Sequence, residues 1–145
     1  MYNVNTQRIE EILTYIDKSL LPSLSSIMQN PKSEFLNQPI SGFAAERIFH
    51  LFIEGMTDVG NFLIDGFIMR DPGSYEDIVD IMEDEKVYTP EQAAVFKEIV
   101  LLRKDLVMEY THSSHEKLFD AYASHSRVMN AYTSLIRAYL EKELW

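Results

Sequence analysis

The sequence predicts one all-α domain, an up-and-down bundle of about five helices. Two observations predict it. Apolar residues recur at three- and four-residue spacing, which is the helical period, and glycine and proline are sparse at five residues each. No segment alternates between apolar and polar residues as a strand would, and no internal repeat or linker divides the chain. We therefore expect a single domain over residues 1–145.

The first helix is predicted to begin near Asn5 or Thr6. Pro22 should kink or split it, because proline removes a helical donor and crowds the preceding turn. The segment 30–39, which carries prolines near both ends, is expected to be a loop. One apolar stripe marks the buried face of this helix: Ile9, Ile12, Leu13, Ile16, Leu20 and Leu24.

A long apolar segment over residues 41–70 predicts a second, central helix. It should stop at the Asp-Pro-Gly turn of residues 71–73, since this combination ends helices. A short acidic helix is then predicted from Ser74 to about Lys86. Ser74 and Asp77 have the spacing of a capping box at its start.

The fourth helix has the clearest start signal in the chain. Thr89 can accept a hydrogen bond from the third helical amide, and Gln92 can bond back to the cap. This helix is expected to continue to about Tyr110 or His112. Residues 113–116 repeat the capping pattern and should open the last helix.

Composition and charge restrict the function. The absence of cysteine excludes a disulfide scaffold and cysteine-ligated zinc. No apolar run reaches the roughly 18 residues of a membrane span, and the first residues lack the pattern of a signal peptide. We therefore expect a cytoplasmic protein without membrane contact. The net charge of -10 disfavours nonspecific attraction to nucleic acid, so any RNA contact would need a local site.

The central helix carries one narrow polar stripe among apolar residues. As a solvent-exposed face, this stripe would have no role beyond solubility. As the wall of a polar cleft, it would orient a basic partner or bind an ion, and its lack of lysine and arginine is unusual for an exposed face. The stripe consists of His50, Glu54, Asp58, Asn61 and Asp65.

A second candidate region is the end of the fourth helix. Arg103 and Tyr110 are seven positions apart, so on a continuous helix they would point within about 20° of each other. Arg103 could bind a phosphate through two parallel hydrogen bonds, or pair with Asp58 or Asp65 across the bundle. We expect structural pairing to be the commoner arrangement for such an arginine.

A metal site is a weaker interpretation of the same region. Glu109 and His112 have the Glu-x-x-His spacing with which a helix presents two ligands to one metal. Carboxylate-bridged bundles need two such motifs, and the sequence has one. His115 and His125 fit solvent-facing or capping positions better than ligand positions. We therefore predict no metal and no cofactor.

Two segments resemble the HepT-like branch of the HEPN superfamily, in particular its bacterial proteins: GMTDVGN through IMRDPGSYEDI at residues 55–78, and LLRKDLVMEY at residues 101–110. The resemblance covers nearly the whole chain. It implies a helical bundle that forms a homodimer. Active members are ribonucleases that act as toxins and pair with a small antitoxin of nucleotidyltransferase fold, so RNA and such an antitoxin are the implied partners.

The family signature is an arginine, four to six residues, a histidine and often a tyrosine after one more residue. Arg103 matches the arginine and Tyr110 the tyrosine, which antitoxins adenylylate in related members, whereas Met108 stands at the histidine position. A thioether cannot exchange a proton near neutral pH. His112 could substitute only if the helix ends early.

Two functions follow. The first is an RNA-cleaving protein with Arg103 on the phosphate and Asp58, Asn61 and Asp65 lining the same cleft. The second is a catalytically inactive dimeric bundle that binds or regulates a partner, which Met108 and the negative net charge favour.

Overall fold

The computed structural model of the protein, described over residues 2–144, consists of helices and turns, with no strand in that range. This confirms the predicted all-α class. The α-helices are α1 (Thr6–Tyr15), α2 (Leu21–Met28), α3 (Lys32–Leu36), α4 (Pro39–Phe67), α5 (Tyr75–Asp84), α6 (Pro90–Leu101) and α7 (His115–Leu144). The chain stays helical from α1 into α2, and this rod together with α4, α5, α6 and α7 makes up the five main helices.

Helix α4 is the centre of the bundle, as predicted. The helices α1, α2, α3, α5 and α7 all pack against it. Phe49, Phe52, Val59 and Leu63 are fully buried along its length, because its apolar residues cover more than one face. The helix ends at Phe67, earlier than expected, where Ile68 adopts the left-handed conformation with φ 57°.

The predicted interruption of the first helix near Pro22 is observed, because α1 and α2 are separate α-helices joined by a π-helical turn. Residues Ile16–Leu20 form a π-helical turn, in which the amide of Leu21 bonds to the carbonyl of Ile16. Pro22 then stands in the first turn of α2, a position that proline tolerates, directly after the π-helical turn. The predicted stripe along this rod is buried throughout.

Two expectations about where helices lie were wrong. The segment 30–39 is not only loop, because it contains α3, whose Phe35 is buried and packs on Phe119 of α7. This contact between distant parts of the chain stabilises a helix too short to be recognised from its own sequence. The fourth predicted helix ends at Leu101 instead of continuing to Tyr110 or His112.

The predicted helix starts are confirmed by their caps. Asn5 accepts from the amide of Arg8, and Ser74 accepts from that of Asp77. Thr89 and Gln92 form the reciprocal capping box. These caps depend on residues three apart in sequence, which is why they could be read without the fold.

Candidate functional site

The chain after α6 changes its helical geometry at Arg103. Residues Lys104–Met108 form a π-helical turn in which the amide of Glu109 bonds to the carbonyl of Lys104 at 2.9 Å. Residues Tyr110–His112 then form a 3-10 turn. The assumption that Arg103 and Tyr110 share one continuous helix was therefore wrong. Such π turns within helices are often found at functional sites.

Arg103 is held from two sides. Its Nε donates to Oε1 of Glu54 at 3.2 Å, and its guanidinium carbon lies 4.2 Å from the centre of the Tyr75 ring. Tyr75 is the first residue of α5, whereas Glu54 lies on α4. The expectation that Arg103 pairs with Asp58 or Asp65 was wrong, because it pairs one helical turn earlier on the same stripe.

The terminal nitrogens of Arg103, Nη1 and Nη2, have no hydrogen-bond acceptor among residues 2–144. These two nitrogens form the Arg103 fork. Both terminal nitrogens of Arg70 bond to the Asp77 carboxylate, at 2.7 and 2.8 Å. Those of Arg137 bond to two carboxylates, each at 2.8 Å. The Arg103 fork therefore differs from these paired arginines in being available to an anion from outside.

His50 extends the cluster along α4. Its Nε2 lies 3.7 Å from Oε1 of Glu54, the same oxygen that accepts from Arg103. Its Nδ1 lies 3.3 Å from Nη1 of Arg47. Because an arginine can only donate, this contact is a hydrogen bond when Nδ1 of the neutral ring carries the lone pair and Nε2 the proton. His50 and Glu54 are both half-buried.

The other members of the polar stripe, Asp58, Asn61 and Asp65, are exposed. No hydrogen bond or ion pair joins them to Arg103 within the described chain. Desolvation, and then the charge of Glu54, raise the pKa of the Asp58 carboxyl above its ordinary value. The solvent-face interpretation therefore fits these three residues, whereas the half-buried part of the stripe is His50 and Glu54.

A cavity of about 330 Å³ lies beside Arg103. Tyr75 and Lys104 line it together with Arg103, so it offers two cations and an aromatic ring. No residue of the polar stripe lines it, contrary to the expectation that Asp58, Asn61 and Asp65 share a cleft with Arg103. The remaining walls are Ser74, Glu76, Val100, Leu101 and Met108.

The residues after the π turn lie at the surface. Met108 is 70% exposed and Tyr110 is 67% exposed. His112 is also exposed, and its Nδ1 lies 3.0 Å from the hydroxyl of Thr111. Over residues 2–144, no three His, Asp or Glu side chains come together in a group that could hold a metal ion. Glu109 and His112 therefore do not belong to such a group.

Fold and site together define an all-helical protein with an arginine-centred polar site. The chain belongs to the ribonuclease HepT-like family, whose model matches residues 4–136. The resemblance that the sequence suggested is therefore confirmed. The chain is 40% identical over 144 residues to YutE of Bacillus subtilis (strain 168), which is named as a candidate RNase. This match covers 99% of the chain and 95% of YutE.

Solved structures agree with this assignment. The structure of YutE, described as a cytosolic protein of Bacillus subtilis, has a TM-score of 0.88 at 38% identity and covers 99% of this chain and 96% of that one. A tri-AMPylated HEPN toxin from Shewanella oneidensis, in complex with its MNT antitoxin, has a TM-score of 0.80 at 15% identity and covers 90% and 96%. The second likeness shows a shared fold. None of the described helices is long and apolar enough to cross a bilayer.

Proposed function

We propose that the protein is a HepT-like ribonuclease that binds an RNA phosphate on the Arg103 fork and cleaves the strand there without a metal ion. The observation that carries the proposal is the fork itself: a half-buried arginine is fixed by Glu54 and Tyr75 and leaves two parallel donors free. The family supports the choice of RNA as the substrate.

The geometry of Arg103 suits a phosphodiester. A planar guanidinium binds two phosphate oxygens through parallel hydrogen bonds, which sets orientation as well as affinity. The ion pair at Nε and the ring of Tyr75 restrict the plane in which the fork lies, so less side-chain freedom is lost on binding. The adjoining cavity of about 330 Å³ falls at the lower end of the size range of small-ligand sites.

The test is an RNA cleavage assay in EDTA on the wild type and Arg103→Ala. The wild type should cleave, and Arg103→Ala should lose the activity while circular dichroism and unfolding remain as in the wild type. Arg127→Ala is the matched control, because Arg127 is exposed and forms no ion pair within the described residues. An unchanged rate in Arg103→Ala would refute the assignment of the phosphate site.

A second candidate function is binding or regulation without catalysis. The observation in its favour is Met108, an exposed thioether at the position that the family signature gives to histidine. If the wild type does not cleave RNA and Met108→His does, the site geometry persists in a protein whose function is binding. Cleavage by the wild type at a rate that Met108→His does not raise would exclude this candidate.

We also propose that the protein forms a homodimer. Leu101, Met108 and Tyr110 are exposed apolar or aromatic side chains close in sequence to Arg103, and they would be covered by a second copy. Static light scattering at micromolar concentration should give twice the 16.9 kDa mass of the chain. A monomeric mass would contradict the proposal.

An antitoxin of nucleotidyltransferase fold is the proposed protein partner, and the cytosol the proposed location. The Shewanella oneidensis toxin with the same fold was solved with an MNT antitoxin, and YutE is described as cytosolic. Tyr110 is exposed enough for its hydroxyl to accept an adenylyl group. Coexpression with a nucleotidyltransferase-fold antitoxin, followed by intact-mass measurement, should add adenylyl mass to the wild type and not to Tyr110→Phe, and an unmodified wild type would contradict the proposal.

A further inference from the structure

We infer that Glu54 is the proton acceptor in RNA cleavage at the Arg103 fork. The inference deepens the proposed function and rests on it. Three observations carry it: Oε1 of Glu54 accepts from Arg103 Nε at 3.2 Å, its Oε2 has no hydrogen-bond partner among residues 2–144, and its side chain is 33% exposed. The carboxylate is therefore both fixed in place and open to substrate.

Metal-independent cleavage needs a group that takes the proton of the attacking 2'-hydroxyl. Met108 cannot do so, since a thioether is not a base near neutral pH. His112 is exposed and its described contact is to Thr111, not to the Arg103 cluster. Glu54 and Tyr75 are the two side chains that contact the Arg103 guanidinium. Of these, a carboxylate accepts a proton at pH 7 and a phenol does not.

The imidazole of His50 is the alternative base, and its contacts disfavour that role. The guanidinium of Arg47 faces Nδ1, so the lone pair is directed away from the fork and Nε2 carries the proton. Nε2 lies 3.7 Å from Oε1 of Glu54 and, because it carries the proton in this tautomer, it cannot accept another. In this tautomer neither ring nitrogen of His50 is a free base at the fork, since Nδ1 accepts from Arg47 and Nε2 is protonated.

The step balances without a further reactant. The 2'-oxygen forms a bond to phosphorus as its proton passes to Oε2 of Glu54, while the Arg103 fork binds the two nonbridging oxygens. The bond from phosphorus to the 5'-oxygen breaks, and that oxygen takes a proton from water. The hydroxide so formed removes the proton from Glu54. The products are a 2',3'-cyclic phosphate and a 5'-hydroxyl.

The test is Glu54→Gln in the EDTA assay with a defined RNA oligonucleotide. Glutamine keeps an oxygen that accepts from Arg103 Nε but cannot take the proton. We expect kcat to fall by about 10²- to 10⁴-fold, with KM unchanged or lower, because a negative charge next to the phosphate is removed. If Glu54 only orients the fork, Glu54→Gln should keep kcat and KM near the wild-type values, because its amide oxygen still accepts from Nε, and only Glu54→Ala should raise KM.

The pH profile is a second readout. The wild-type rate should fall on the acidic side of its pH profile, and this limb should be missing in Glu54→Gln. Glu98→Gln is the matched control, because Glu98 also pairs with a histidine, His125, at 2.6 Å, and Arg103 is not among its partners. Its kcat and pH profile should equal those of the wild type.

The outcomes separate the two proposals. If the wild type cleaves, Arg103→Ala is inactive and Glu54→Gln keeps its kcat and acidic limb, the assignment of Glu54 is overturned and the proposed function stands. If the wild type does not cleave RNA at all, the proposed function is overturned, and the assignment with it. If Glu54→Gln loses kcat and the acidic limb while Glu98→Gln keeps them, both the proposed function and the assignment of Glu54 are supported.

Discussion

Replacing Gly60 by alanine tests how tightly α5 packs on α4. A Cβ at Gly60 would lie 2.5 Å from Cγ2 of Ile78, a buried residue of α5. Isoleucine is stiff in a helix because its branched Cβ leaves one preferred rotamer. The methyl group therefore cannot swing aside, and α5 has to move away from α4. Because α5 begins at Tyr75, this displacement also moves the ring that supports Arg103.

Two opposing terms set the size of the effect. Overpacking of this kind costs about 1–3 kcal/mol, whereas glycine to alanine inside a helix gains about 1 kcal/mol. We expect Gly60→Ala to lower the free energy of unfolding by about 1 kcal/mol. Gly55→Ala is the control in the same helix. Its Cβ would lie 3.2 Å from Cδ1 of Ile16 and 3.3 Å from Cγ2 of Ile12, so these neighbours need to move by only a few tenths of an ångström, and that variant should be more stable than Gly60→Ala.

Urea denaturation of both variants measures the difference. Ile78→Leu removes the offending branch methyl at constant volume, so the double variant Gly60→Ala with Ile78→Leu should recover stability relative to the sum of the single changes. If Gly60→Ala is as stable as Gly55→Ala, the result contradicts the close packing of α5 against α4 at Gly60.

The buried hydroxyl of Tyr132 faces that of Tyr88 without a well-aligned hydrogen bond within residues 2–144, so Tyr132→Phe should change the free energy of unfolding by no more than about 1 kcal/mol, and a larger loss would contradict this. The neighbouring Thr133 donates to Asp17 at 2.7 Å, and Thr133→Val should instead cost about 1 kcal/mol. Hydrogen bonds from Arg70, and then from a backbone amide, lower the pKa of Asp77 to about 2, below its ordinary 3.8. Asp77 thus stabilises the fold above pH 3.8 and loses this effect as the pH falls towards 2. The difference in the free energy of unfolding between the wild type and Asp77→Asn should be largest at pH 7 and should nearly vanish at pH 2. A difference that does not depend on pH would contradict the link between the Asp77 pKa and stability.

Helix starts could be predicted because they are set locally. The caps at Asn5, Ser74 and Thr89 each depend on residues three positions apart, and the structure has all three. Helix ends were less predictable. No proline or glycine lies between Leu101 and His112, so the sequence offers no breaker where α6 gives way to the π turn.

The candidate site could be predicted in part. Arg103 was identified from its spacing and from the family signature, and the polar stripe of α4 was recognised from its helical period. The position of the segment after α6 along the axis of α4 decides which acid of the stripe pairs with Arg103. The spacing of apolar residues in the sequence does not reveal that position. Glu54 was therefore grouped with the stripe but not chosen as the partner. The one signal in the sequence that could have singled out Glu54 is its spacing of four residues from His50 within an otherwise apolar stretch.

The most direct test of the account is the affinity of the Arg103 fork for RNA, measured apart from cleavage. Fluorescence anisotropy with a labelled single-stranded RNA whose 2'-oxygens are methylated reports binding alone, with EDTA present and at fixed salt. We expect Arg103→Ala to weaken binding by about tenfold or more, Arg103→Lys to fall between, and Arg127→Ala to match the wild type. Equal affinities of the wild type and Arg103→Ala would contradict the central claim that the fork holds the phosphate.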